Sequence, residues 1–174
     1  MNIPFSPPDI TEEEIEAVAE VMRSGWITTG PKTKELERKM AEFTHTNRGV
    51  CLNSATSCME MALRLFEIGP GDEVIVPAYT YTASASVVCH VGATLRLVDV
   101  EKGTFHIDYA AVESMINENT KAIIPVDLGG VMVDYDRIRA IVESKKSLFR
   151  PSSKMQDALG HILILADSAH GYGA

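Results

Sequence analysis

From Gly49 onward the chain alternates short apolar runs with segments whose apolar residues recur at helical spacing, and that alternation leaves few folds open. Strand-like runs fall at Val50 to Leu52, Glu73 to Val76, Leu95 to Val98, Ala122 to Val126 and Ile162 to Ala166. Helical patterns lie between them, from Ser54 to Phe66, from about Thr82 to His90, from Asp108, and around Asp134 to Val142. Repeated strand-helix units favour parallel pairing, so the pattern predicts an α/β fold: a mostly parallel sheet with helices on both faces.

Upstream, Thr11-Glu12-Glu13-Glu14 is a capping box, in which the Thr11 hydroxyl and Glu14 carboxylate satisfy free N–H groups of a new helix. Ile15, Val18, Ala19 and Met22 follow at helical spacing, and Ser24-Gly25 closes that helix. Trp26 to Pro31 reads as a loop with Pro31 at a first helical position, and Leu36, Met40 and Phe43 mark the buried face of a second helix. Gly69-Pro70-Gly71-Asp72 is a turn by composition, and no GxGxxG or GxxxxGK[ST] pattern occurs, which counts against a dinucleotide or P-loop protein. The polar stretch from Ser144 to Gly160 reads as a loop and as the mobile part of the chain.

Composition removes several function classes. A net charge of -8, with no basic cluster longer than Lys145-Lys146, repels nucleic acid phosphates and anionic lipid. The first residues carry no basic segment followed by an apolar one, and no window approaches the ~20 apolar residues of a membrane span, so a cytosolic protein of one domain is expected. Cys51, Cys58 and Cys89 lie in apolar stretches without metal-ligand spacing and read as buried reduced thiols. His45, His90, His106 and His161 are scattered singly and read as surface or packing residues.

Three segments could carry chemistry. Ser54, Ala55 and Thr56 stand where an apolar run ends and a helix begins, a place whose free N–H groups and positive dipole end suit a phosphate; Ser54 could equally be a plain helix cap. Tyr79 and Tyr81 follow the run ending at Val76, where ligands gather at the carboxyl edge of an open α/β sheet, and an aromatic there can stack on a flat cofactor or simply pack. Asp167 directly follows an apolar run of five, with His170 three residues on. A carboxylate at that edge is costly unless paired, and it could cap a helix, await a metal or serve a cofactor.

The order of these segments carries a resemblance. Trp26-Ile27-Thr28-Thr29-Gly30-Pro31, Asn53-Ser54-Ala55-Thr56, Gly69-Pro70-Gly71-Asp72-Glu73-Val74-Ile75-Val76-Pro77, Gly92-Ala93 ahead of Val98-Asp99-Val100, and Ala166-Asp167-Ser168-Ala169-His170 together resemble the N-terminal half of the DegT-type nucleotide-sugar aminotransferases. The resemblance spans nearly the whole chain and implies the large-domain fold of fold-type I pyridoxal-phosphate (PLP) enzymes. It implies that Ser54, Ala55 and Thr56 hold the PLP phosphate, that Tyr81 stacks on the pyridine ring, that Asp167 pairs with the pyridinium nitrogen as the catalytic carboxylate, and that His170 bonds the phenolic oxygen. It further implies a nucleotide-linked keto-sugar substrate, glutamate or glutamine as amino donor, and a homodimer. The family's Schiff-base lysine lies downstream of the Asp motif. None of the eight lysines here follows Asp167, so the chain reads as a partial large domain, 1–174, without the small C-terminal domain and inactive by itself. A sugar dehydratase of the same superfamily and a non-catalytic remnant are the alternatives.

Overall fold

The periodicity translates into strands and helices with few displacements. In the computed structural model, which describes residues 7–174, the described residues up to 51 and residues 52–174 form two compact units. Residues 1–6, read above for a leader, lie outside the described residues.

The first unit holds α1 (Glu12–Ser24) and α2 (Pro31–Phe43). Thr11 caps α1 in the expected capping box, with the Glu13 N–H donating to its hydroxyl at 3.2 Å and its own N–H donating to Glu14 Oε2 at 2.6 Å. The Thr11 hydroxyl, donating to Glu14 Oε2 at 2.6 Å, and then the Thr11 N–H hold the Glu14 carboxyl below its ordinary pKa. Gly25 ends α1 and Pro31 opens α2, both as expected. Neither helix has a buried residue, and Ile15, Val18, Met22, Leu36 and Phe43 stand exposed, so the buried face expected for α2 is not formed.

The second unit carries the sheet. Its strands are β1 (Glu73–Pro77), β2 (Thr94–Val98), β3 (Thr120–Ile123) and β4 (Leu163–Ile164), all parallel, in the order β2-β1-β3-β4. Its helices are α3 (Ala55–Leu65), α4 (Thr82–His90), α5 (Tyr109–Met115), α6 (Tyr135–Ser144) and α7 (Lys154–Leu159). Successive strand residues face opposite sides of a sheet, and the core divides accordingly. Val74, Val76, Ala122 and Ile124 join Met59 and Leu63 of α3 and Val87 and Val88 of α4. Ile75 and Ile123 join Val112 of α5 and Ile138, Ile141 and Val142 of α6 on the other face. The fold is the predicted α/β sheet covered on both faces. Each fully buried Leu or Val contributes about 1.5–3 kcal/mol relative to leaving it in water.

Several expectations change. Val50 to Leu52 forms no strand; Val50 and Leu52 are exposed, and three apolar residues without a ladder partner do not hold an extended pairing. Ser144 to Gly160 is not a plain loop: a 3-10 turn at Lys146–Leu148 and α7 occupy it. Ser153 caps α7 by accepting from the Gln156 N–H, and the Ser152 hydroxyl reaches the Asp72 carboxylate at 3.0 Å. The Ser-x-x-Gln spacing at 153–156 is the sequence signal for that cap. Cys58 and Cys89 are exposed and Cys51 half-buried, because the inward stripes of α3 and α4 run through their neighbours Met59, Val87 and Val88.

Candidate active site

The strand order places a crevice. The chain leaves β1 for β2 on one side, whereas β3 and β4 lie on the other, so the loops after β1 and β3 diverge at the carboxyl edge, where open α/β sheets bind ligands. Tyr81 arrives from β1, Asp127 from β3, and Asp167 and His170 from β4; all four line one small cleft.

Asp167 is held there by the backbone ladder running past β4: its N–H donates to Pro125 O at 2.9 Å, and its carbonyl accepts the Asp127 N–H at 3.0 Å. The residue is only 7% exposed. The Ser84 hydroxyl donates to Oδ2 at 2.7 Å and the Ala169 N–H to Oδ1 at 3.3 Å. Among the described residues no cation forms an ion pair with it. Two donors satisfy its lone pairs in part, and a buried carboxylate without a counter-charge remains expensive. The residues after it, 169–173, form turns. Among those residues no group of three His, Cys, Asp or Glu side chains stands ready for a metal.

Tyr81 occupies the position before α4 without a side-chain capping bond and is 76% exposed, leaving its ring free to stack. Tyr79 is also exposed, stacked on Phe105 with ring centroids 5.4 Å apart, and neither tyrosine is the half-buried packing residue that was the alternative. His170 is exposed, and its Nδ1 accepts the Gly129 N–H at 3.2 Å.

Ser54 does not line this cleft. It is the cap of α3, its hydroxyl accepting the Ser57 N–H at 3.1 Å, which leaves the Ala55 and Thr56 amides of the first turn without a hydrogen-bond partner. Arg64, in the last turn of α3, reaches His90 O at the end of α4, and Glu60 bonds the His90 ring at 2.9 Å. The two helices therefore end together, and both begin toward the carboxyl edge, where α4 starts. Free amides at a helix N-terminus carry the dipole sign that suits a phosphate.

Two neighbours of the site escaped the sequence reading. Ser84 lies 83 residues from Asp167 and no spacing links them. Asp127 had a signal, since it follows the apolar run Ile123-Ile124-Pro125-Val126 just as Asp167 follows its own run.

A parallel sheet with a buried, uncompensated carboxylate at its switch point and a free helix N-terminus at the same edge has the makings of a fold-type I PLP enzyme. The chain belongs to the DegT/DnrJ/EryC1/StrS aminotransferase family, whose model matches residues 8–150. It is similar over 99% of its length to a Streptococcus pneumoniae protein assigned as a sugar aminotransferase, at 59% identity and a TM-score of 0.96, a protein solved in apo, PLP and PMP forms. It is also similar to an aminotransferase from Psychrobacter cryohalolentis, at 32% identity and a TM-score of 0.83 over 98% of this chain. A GDP-4-keto-6-deoxymannose-3-dehydratase shares the fold at 23% identity and a TM-score of 0.84, over 99% of this chain and 42% of its own. The chain spans 44% of the Streptococcus pneumoniae protein and 40% of the Psychrobacter one. The cofactor of this family is pyridoxal phosphate.

Proposed function

We propose that this chain is the cofactor-binding part of a PLP-dependent aminotransferase that places an amino group on a nucleotide-linked keto-sugar, drawing it from glutamate or glutamine, as a cytoplasmic homodimer. The observation that carries the reading is Asp167: a buried carboxylate, hydrogen-bonded but unmatched by any cation among the described residues, lining a cleft at the switch point. A protonated pyridine nitrogen is a group of the right charge and shape to complete it. When bound, the cofactor supplies an electron-withdrawing ring that stabilises charge at the amino-bearing carbon.

The chain's own residues then have distinct tasks. Asp167 holds a proton at the pyridine nitrogen, and Ser84 fixes the orientation of that carboxylate. The Ala55 and Thr56 amides, with the α3 dipole, bind the phosphate, while the Ser54 hydroxyl keeps the first turn in shape. Tyr81 covers a ring face, and His170 donates to the phenolic oxygen. A second subunit is supported by the exposed apolar residues of α1, among them Ile15, Val18 and Met22, which gain from being covered. No helix among the described residues is long and apolar enough to cross a membrane, in keeping with action in the cytoplasm.

The test uses the full-length protein with PLP, glutamate and a nucleotide-linked keto-sugar, following amino transfer by mass. Asp167→Asn should bind cofactor yet turn over about a hundredfold more slowly, the scale of losing one electrostatic catalytic partner. Turnover near that of the unmodified protein would end the pyridinium assignment, and loss of the sugar's hydroxyl without amino transfer would move the protein to the dehydratases, whose fold it shares.

A further inference from the structure

Asp127 is fully buried beside Asp167, yet no step above uses it. Its Oδ1 accepts the Val133 N–H at 2.9 Å, and its Oδ2 accepts the Tyr135 hydroxyl at 2.9 Å and the Ser168 hydroxyl. One carboxylate thus ties together the segment 128–135 and the turn after β4. Gly171 packs so closely that a Cβ there would lie 2.9 Å from the Asp127 Cβ, so the turn wraps the carboxylate without space for a side chain. On the facing segment Gly129 and Gly130 have φ of 64° and 80°, a left-handed conformation that costs other residues about 1–2 kcal/mol each. This backbone shape aims the Gly129 N–H at His170 Nδ1, 3.2 Å away.

An imidazole nitrogen that accepts a backbone N–H carries no proton of its own. The neutral ring must then hold its proton on Nε2. We infer that Asp127 is a positioning residue: by locking the Ser168–His170 turn to the Gly129–Gly130 turn, it keeps His170 as a hydrogen-bond donor through Nε2 in the cleft both residues line. The ligand this suits presents an oxygen acceptor, and on the reading above that oxygen is the cofactor's phenolate.

The clamp is a property of the chain without ligand and is tested there. In the full-length protein labelled with nitrogen-15 at glycine and histidine, a through-hydrogen-bond coupling should connect the Gly129 amide to His170 Nδ1. It should vanish in Asp127→Ala and fall at least about twofold in Ser168→Ala, which removes one hydroxyl from an exposed residue and threatens folding far less. In a second sample labelled with nitrogen-15 at leucine and isoleucine, signals from the buried α3 and α6 residues Leu63 and Ile138 should stay in place in Ser168→Ala. Cofactor dissociation constants should rise about tenfold in both variants, the worth of one hydrogen bond to a charged group. The inference fails if the unmodified protein lacks the coupling, if the coupling survives Ser168→Ala unchanged, or if affinity for PLP is unaltered. Failure of the unmodified protein to bind PLP, with the coupling present, would instead count against the cofactor reading.

Discussion

The two ends of the sheet bury the same side chain under opposite electrostatic terms. At the amino edge, Asp72 precedes β1 and accepts from Gly69 N–H, the Ser152 hydroxyl and the Gln156 amide, with the Lys121 ammonium 4.0 Å away and itself buried. At the carboxyl edge, Asp127 and Asp167 accept, among the described residues, only hydroxyls and backbone N–H groups. At both ends every buried side-chain polar atom among the described residues has at least one hydrogen-bond partner. Among the same residues, charge is balanced at one end alone. The balanced aspartate holds the fold together, and the unbalanced ones create a site whose charge a cationic group must answer.

One substitution at the two ends should therefore give opposite results. Asp72→Asn strands the buried Lys121 charge, and denaturant unfolding should show a loss of about 3 kcal/mol, the low end for breaking a buried pair. Asp167→Asn removes an uncompensated charge, so the same measurement on the cofactor-free protein should show anything from no change to a gain of about 1 kcal/mol, alongside the hundredfold loss of turnover. Equal destabilisation by both would break the contrast.

Smaller effects sharpen it. Ser153→Ala uncaps α7, which carries Gln156 to the Asp72 cluster, and should cost about 1 kcal/mol with turnover unaffected. Alkaline titration should separate the ends by sign. Burial, partly offset by Asp72, pulls the Lys121 ammonium below its ordinary 10.5, so the unfolded chain binds that proton more tightly and stability rises as pH climbs toward 10.5. Burial, then the hydrogen bond to Asp127, pushes the Tyr135 hydroxyl above its ordinary 10.0, so its contribution is complete below that value and declines as pH rises past it. Comparing unfolding free energies of the unmodified protein with Lys121→Met and Tyr135→Phe between about pH 9 and 11 should give slopes of opposite sign, each under about 1.4 kcal/mol per pH unit. Slopes of the same sign would show that the two clusters do not differ in the way their partners imply.

Much of this was legible in the chain because its signals are local. Helical spacing around Met59 and Leu63, the capping box at Thr11 and the strand-like run from Glu73 to Val76 all rest on contacts a few residues apart or on one element's own burial. Asp167 was legible for the same reason, as a charge at the end of an apolar run. The segment 144–160 was misread because its polarity outweighed one cap signal at Ser153, and Val50 to Leu52 because apolar residues alone do not supply a ladder partner.

The sequence by itself determined the alternation of strand and helix, the caps, and which residues would reach the ends of strands, since backbone hydrogen bonding and side-chain periodicity act over one or two turns. Tertiary structure alone decided that β1 lies between β2 and β3, that Ser84 meets Asp167 across 83 residues, and that Lys121 compensates Asp72 while no cation among the described residues compensates Asp167. Those outcomes depend on which elements pack together, and the free energy of a buried charge depends on everything packed around it rather than on its neighbours in the chain.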